Sequence, residues 1–286
     1  VTLLSENADS VVCRLEGVGP GGCAVIAKRC PRERGEVEAL IYTEVLTRLP
    51  LESLHCHGFL AEDDHQYGWL FLEDGGRTSL TSLGEGVPTA IAPWLGVLHS
   101  SLSSVQALAR LLPDRGPEHY LLTLRTVRQR ILEILSHGEM TGEDRTGFEN
   151  LVSCLGAVEE RWDSVRERCG GLPWTLAHGD LKSKNILVRQ SESGLTLLAI
   201  DWECAGWGPP AVDLARIDCA SYWRAVHGRW PNVGLRDVEE HARCGALFNW
   251  LMAVGWDLRW GAPENAVRKF GQRLSASARA LGLLAV

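Results

Sequence analysis

The stretch His178-Gly179-Asp180-Leu181-Lys182-Ser183-Lys184-Asn185-Ile186-Leu187-Val188 is answered, after a short gap, by Leu197-Leu198-Ala199-Ile200-Asp201-Trp202-Glu203. The runs Ile186 to Val188 and Leu197 to Ile200 have the length and aliphatic content of strands, flanked on both sides by polar residues. Their pairing as a hairpin brings Asn185 and Asp201 together at one end, with Asp180 just upstream. A carboxylate, an amide and a second carboxylate then gather around one point.

Outward from this island the chain changes character twice. Towards the C-terminus, apolar residues recur at helical spacing from about Val212 to the end. Towards the N-terminus, Ile91 to Ser101, Glu118 to His137 and Glu143 to Arg168 also show helical periodicity, the last two with one heavily charged side. Further upstream the pattern becomes strand-like. Val11 to Leu15 and Cys23 to Lys28 flank a glycine-rich turn, Gly17 to Gly22, and Leu54 to Ala61 and Tyr67 to Leu72 are two more strand candidates. Between them Val37, Leu40, Ile41, Val45 and Leu49 follow helical spacing, closed by Pro50. Glu73-Asp74-Gly75-Gly76 is a polar, glycine-bearing break suited to a hinge. The expected division is a β-rich unit with one helix over residues 1–74 and a mainly helical unit over 75–286.

Gly17-x-Gly19-x-x-Gly22 matches a dinucleotide-binding pattern, but that reading needs a helix to begin at the glycines. A strand begins there instead. A protein-kinase glycine loop is excluded as well, since only five residues separate Gly22 from Lys28. The segment reads as a hairpin turn.

Composition narrows the classes. The chain has 286 residues, 45% of them hydrophobic and 23% charged, as in ordinary globular proteins. No apolar run approaches the length of a membrane span, and the stretch from Val1 has no basic segment followed by an apolar one. The expected location is therefore the cytoplasm, away from membranes. The formal charge of −7 argues against a nucleic-acid partner, which calls for a basic patch. The residues through Asp74 hold 13 acids and 6 bases, and the remainder holds 23 of each. Global charge thus says nothing about a cationic substrate. Nine scattered cysteines, none in C-x-x-C, read as reduced buried residues. His55-Cys56-His57 is their one tight cluster with histidine, and neighbours on a strand point to opposite faces.

Phosphoryl transfer needs few residues, provided that they converge to position an acceptor and neutralise charge. Asp180, Asn185 and Asp201 are of the right types. The string resembles the H-x-D-x-x-x-x-N catalytic loop and metal-binding Asp of the aminoglycoside phosphotransferase and choline kinase group, relatives of the protein kinases. His-Gly-Asp is that group's form, Asp201-Trp202-Glu203 stands where protein kinases carry Asp-Phe-Gly, and Asp213-Leu214-Ala215 resembles the group's downstream motif. The resemblance covers nearly the whole chain. It implies an α+β, bilobal protein-kinase-like fold with a small β-rich N-lobe for nucleotide and a larger helical C-lobe for catalysis and acceptor binding. It also implies an ATP- and Mg²⁺-dependent transfer to a hydroxyl of a small molecule: an aminoglycoside or other antibiotic, a choline-like amine, a sugar or an amino-alcohol.

Carried over by position, the resemblance makes Asp180 the catalytic base, Lys182 a contact to the γ-phosphate, Asn185 and Asp201 the Mg²⁺ ligands, and Asp213 a brace for the catalytic loop. Lys28 resembles the strand lysine that meets the nucleotide phosphates. Its partner is expected to be Glu38, which shares a helix stripe with Tyr42, Val45 and Leu49, rather than Glu36, which lies with Thr43 and Thr47. Glu73 and Asp74 fall at the hinge beside adenine. The nucleotide loop falls on Ser5 to Ser10, which has no glycine, so that backbone amides and the Ser10 hydroxyl are left to meet phosphate. For a cationic acceptor, Glu203, Asp218 and Asp257 are the candidate carboxylates, with Trp207, Trp223, Trp256 and Trp260 as candidate walls. Two alternatives stand beside the small-molecule kinase. A regulatory pseudokinase is disfavoured by the intact catalytic set, and a protein kinase by the lack of an Ala-Pro-Glu segment after Asp201.

Overall fold

Five strands make one antiparallel sheet in the order β1-β2-β3-β5-β4, formed by Thr2–Glu6, Val11–Leu15, Val25–Pro31, Cys56–Ala61 (β4) and Tyr67–Glu73 (β5). The computed structural model describes residues 1–76, 78–80, 88–102, 106–137, 142–191, 194–260, 263 and 266–284. In β5 buried and half-buried residues alternate, as expected of a strand with one face on a core, and β3 departs from that pattern only where Ala27 and Lys28 are both buried. The glycine-rich turn connects β2 to β3, with Gly17, Gly21 and Gly22 all at positive φ. β1 is an addition to the sequence expectation. Its five residues are all exposed, so no burial alternation marks it.

Helix α1, Arg32–Leu40, follows β3 and continues through a π turn, Ile41–Val45, and a 3-10 turn, Leu46–Arg48. It packs close to the sheet at Gly35, where a Cβ would sit 2.3 Å from the Phe59 ring. Glu38, Ile41, Tyr42, Val45 and Leu46 form its buried face.

The remaining helices are α2 (Pro88–Leu102), α3 (Gln106–Ala109), α4 (Pro117–His137), α5 (Gly142–Glu160), α6 (Trp162–Cys169), α7 (Ala211–Leu214), α8 (Cys219–Val226), α9 (Leu235–Trp260) and α10 (Gln272–Ala280). The single long helix expected from Glu143 to Arg168 is broken at Arg161, which leaves the helical region with φ −108° and ψ 20°. Four short strands complete the set: β6 (Thr175–Ala177), β7 (Ile186–Ser191), β8 (Gly194–Ala199) and β9 (Gly206–Gly208).

Packing divides the chain into two units, Val1–Pro113 with His178–Gly206, and Asp114–Ala177 with Trp207–Val286. This differs from a division at residue 74, and the reason is local. Val188 N donates to Thr78 O at 2.8 Å, Ser79 bridges to Leu187, and a Cβ on Gly75 would lie 2.7 Å from Leu187. The segment after β5 is thereby tied to the β7–β8 hairpin.

In the second unit α4, α5, α6 and α9 bury one apolar core, in which the rings of Tyr120 and Phe248 stack at 3.9 Å. Helices α7 and α9 touch at Gly245, where a Cβ would fall 1.7 Å from Ala211 O. Among the described residues no helix is long and apolar enough to cross a membrane. Each of the nine cysteines is a free thiol.

Candidate active site

The β7–β8 hairpin pairs Ile186 with Ala199, and Ile200 N donates to Asn185 O at 2.9 Å. Asn185 and Asp201 therefore leave the same end of one hairpin, as their spacing implied. Just upstream, Gly179 sits at φ +81° with its Cα against Cys204 O, a position with no room for a Cβ. His178 lies over Trp202, 4.5 Å between ring centroids, and is fully buried. Its Nδ1 accepts from Asp180 N (3.3 Å), so Nε2 carries the proton that Ile200 O accepts at 3.0 Å. This histidine holds the loop to the hairpin through both nitrogens.

Asp180 is itself buried and doubly held. Its Oδ1 meets Lys182 Nζ at 2.5 Å, and its Oδ2 accepts from Asn185 Nδ2 at 3.2 Å. The same Nδ2 donates to Asp180 O at 2.9 Å. Since Asn185 spends its amide protons on Asp180, its oxygen is the atom left for a cation. An ionised carboxylate has about four acceptor sites, so Asp180 keeps capacity for one more donor, such as a hydroxyl.

The second group is centred on Lys28, at the middle of β3. Its ammonium is 2.9 Å from Glu38 Oε2, 2.5 Å from Asp201 Oδ1 and 3.8 Å from Glu203 Oε2. Burial alone would lower the Lys28 ammonium, but the charges of Glu38, Asp201 and Glu203 outweigh it and hold the group well above the usual lysine range. Burial pushes Asp201 up and Lys28 more than reverses this, so that Asp201 lies below the ordinary carboxylate value. Burial, with the like charges of Asp201 and Glu38, leaves Glu203 raised despite Lys28 and Arg34.

Asp201 is the one non-glycine residue besides His65 with positive φ among the described residues, at φ 67° and ψ 58°. Such a conformation costs energy and persists where its surroundings impose it. Here Glu38 imposes it: Oε1 accepts from Trp202 N at 3.3 Å while Oε2 holds Lys28. Glu36, by contrast, is exposed and pairs with Arg32 at 2.7 Å. Of the two glutamates, Glu38 is the one that turns to the lysine.

Other expected residues have different surroundings. Asn7 Oδ1 accepts from both Asp9 N and Ser10 N, so those two loop amides are already engaged. Arg34, one turn before Glu38, shares that face of α1 but stands in no motif that marks it in the sequence. Its Nη1 is 3.8 Å from both Asp9 and Glu203, which places a cation beside the acidic loop. Glu73 accepts from Arg189 at 2.5 Å, and Asp74 from Arg14 at 2.5 Å, so both hinge carboxylates are occupied by arginines. Glu203 lies 3.8 Å from both Lys28 Nζ and Arg34 Nη1. Asp218 caps α8, accepting from Ala220 N and Ser221 N. Asp213 is buried at α7, and Asp257 is half-buried on α9, both in the second unit. Trp223 donates its indole proton to Val233 O, and the side chain of Trp260 lies outside the described residues.

Three solved structures share the fold at low identity. A mutant of aminoglycoside 2'-phosphotransferase-IIIa in its GDP complex is 15% identical, with TM-score 0.61 over 98% of this chain and 89% of that one. A thermostable mutant of aminoglycoside phosphotransferase APH(4)-Ia, in ternary complex with AMP-PNP and hygromycin B, is 14% identical with TM-score 0.57 over 98% and 93%. An ethanolamine kinase of Plasmodium vivax is 15% identical with TM-score 0.61 over 98% and 83%. No curated protein matches the chain. The model of the phosphotransferase enzyme family, APH, matches residues 1–251. The paired Lys28, the Asp180 loop and the hairpin-borne Asp201 thus stand in a chain that belongs to the APH phosphotransferase enzyme family, as a small-molecule kinase.

Proposed function

We propose that this chain moves the γ-phosphate of ATP to a hydroxyl of a small molecule. The observation that carries this reading is the pair of linked groups in the first unit: Lys28 held by Glu38 and Asp201, and Asp180 held by Lys182 and Asn185. Lys28 is the counter-charge for nucleotide phosphate, kept cationic by its carboxylates. Asp180 accepts the acceptor's hydroxyl proton and aims its oxygen at phosphorus. Lys182, beside it, offsets charge on the phosphate being transferred.

Asp201 and the Asn185 oxygen would hold Mg²⁺. Both are hard oxygen donors, and Mg²⁺ typically takes one or two carboxylates and completes its shell with phosphates and water. When bound, it neutralises charge on the phosphates. Lys28 keeps Glu38 and Glu203 as partners when Asp201 turns to the cation.

Consumption of ATP, with GTP in parallel, across a panel of aminoglycosides, other hydroxylated antibiotics, amino-alcohols and sugars tests the reading. Acceptor-dependent turnover by at least one compound is the expected result. Tight nucleotide binding with no turnover on the whole panel would favour a regulatory pseudokinase. Turnover on protein acceptors alone would favour a protein kinase.

Lys28 also supplies a stability test. Glu38 is 1% exposed, and removing one partner of a buried ion pair typically costs about 3–5 kcal/mol. Lys28→Met is expected to raise the apparent KM for nucleotide and to lower stability by roughly 3 kcal/mol in urea unfolding. Adding Glu38→Gln should restore part of the stability but none of the nucleotide affinity. Wild-type KM in the single variant would mean that another cation meets the phosphates.

A further inference from the structure

The second unit carries a cleft of about 530 Å³ between α4 and α9, within the roughly 300–1,000 Å³ range of small-molecule sites. The two helices run in the same direction where they meet. Tyr120 stacks on Phe248, and seven residues further along both helices a Cβ on Gly255 would meet Val127 at 3.2 Å. Gly255 costs α9 about 1 kcal/mol of helix propensity relative to Ala. Its missing side chain leaves space at the bottom of the cleft.

That register sorts the lining by chemistry. The body is apolar: Leu122 and Val127 on one wall, Met252, Trp256 and Leu258 on the other. Leu122 is 65% exposed, while Leu121, Leu124, Val127 and Ile131 of the same helix are buried. The cations collect at one end, because Arg130 follows Val127 by three residues and Arg259 follows Gly255 by four. His119 lies at the other end, and burial together with the charge of Arg115 lowers it to about 4, so it is neutral near pH 7. Thr123 and Thr126 donate their hydroxyl protons to His119 O and Leu122 O of their own helix.

No carboxylate lines the cleft among the described residues. Arg130 does pair with Glu133 at 3.1 Å, but both side chains are largely exposed, and such pairs contribute little and exchange readily. Arg259, in the last turn of α9, also complements the helix dipole, a role that requires no ligand. The polarity of the cleft is the reverse of what a polycationic compound needs.

We infer that this cleft binds a small amphipathic monoanion, its alkyl or aryl body along Leu122, Val127, Met252 and Trp256 and its carboxylate, sulfonate or phosphate head at Arg130 and Arg259. Apart from Trp256, offered by the sequence as a candidate acceptor wall, the lining residues have no part in the phosphotransfer reading. Charge complementarity selects this occupant over a neutral apolar one.

The test is a fluorescence titration of the full chain with the anionic probe anilinonaphthalene sulfonate and its uncharged counterpart N-phenylnaphthylamine, with laurate as competitor. One saturable site is expected, displaced by laurate and accompanied by a change in tryptophan emission. Arg130→Gln with Arg259→Gln should weaken the anion roughly tenfold or more, the loss expected for hydrogen bonds to a charged group, and leave the uncharged probe unaffected. Thr126→Phe, at an exposed position, should block both probes. Phosphotransfer on a small acceptor should be unchanged in each variant. Lack of saturable binding by the wild type overturns the inference, as does equal loss of both probes in the arginine variant. Concentration-dependent self-association abolished by Thr126→Phe would also overturn it, by assigning the cleft to a second copy of the chain.

Discussion

Asp201→Asn is expected to abolish transfer, lowering kcat by at least roughly 10³, at or beyond the loss from removing one preorganised electrostatic stabiliser. The change is nearly isosteric, but it removes the charge that pairs with Lys28 and that, on the proposed reading, would hold Mg²⁺. Lys28 keeps Glu38 at 2.9 Å and Glu203 at 3.8 Å, so the fold of the first unit should persist. Affinity for the Mg²⁺ nucleotide should fall with turnover. Calorimetric titration of the Mg²⁺ nucleotide into the variant reads this directly. Wild-type affinity there, or substantial turnover, would place the metal elsewhere.

Asp180→Asn should behave differently, although the chemical change is the same. Asp180 touches Lys182 and Asn185 and is proposed to act on the acceptor's hydroxyl alone. Nucleotide affinity should therefore remain close to wild type while kcat falls by roughly 10² to 10⁴, the range for a positioned acid or base. The amide that replaces the carboxylate would still accept from Asn185 through its own oxygen, so the loop should keep its shape. Strong nucleotide binding by the Asp201 variant with loss in the Asp180 variant would reverse the two assignments. Measured side by side, the two variants separate binding from chemistry.

Both tests rest on residues whose meeting is largely local. Asp180, Asn185 and Asp201 lie on one loop and one hairpin, and hairpin geometry follows from strand length and register. The same holds for the β-rich first stretch and for Glu38 over Glu36, because helix periodicity assigns a face without knowledge of what the face meets. β1 was invisible because none of its residues is buried, and burial is what writes a pattern into sequence. The break at Arg161 was hidden for a related reason: apolar spacing is the same on both sides of it.

Long-range partners were beyond reach. No pattern in Arg189 announces Glu73, 116 positions away, and none in Arg14 announces Asp74. Glu203 shows the same limit, since nothing in its own stretch announces Lys28 and Arg34 beside it. The sequence by itself determined the family, the lobe order and the convergence of Asp180, Asn185 and Asp201, since these depend on spacing within single elements. Only the tertiary structure decided which charges neutralise one another, that the segment after β5 packs with the β7–β8 hairpin, and that α4 and α9 enclose a cationic-ended cleft, because each of these depends on how separate elements pack.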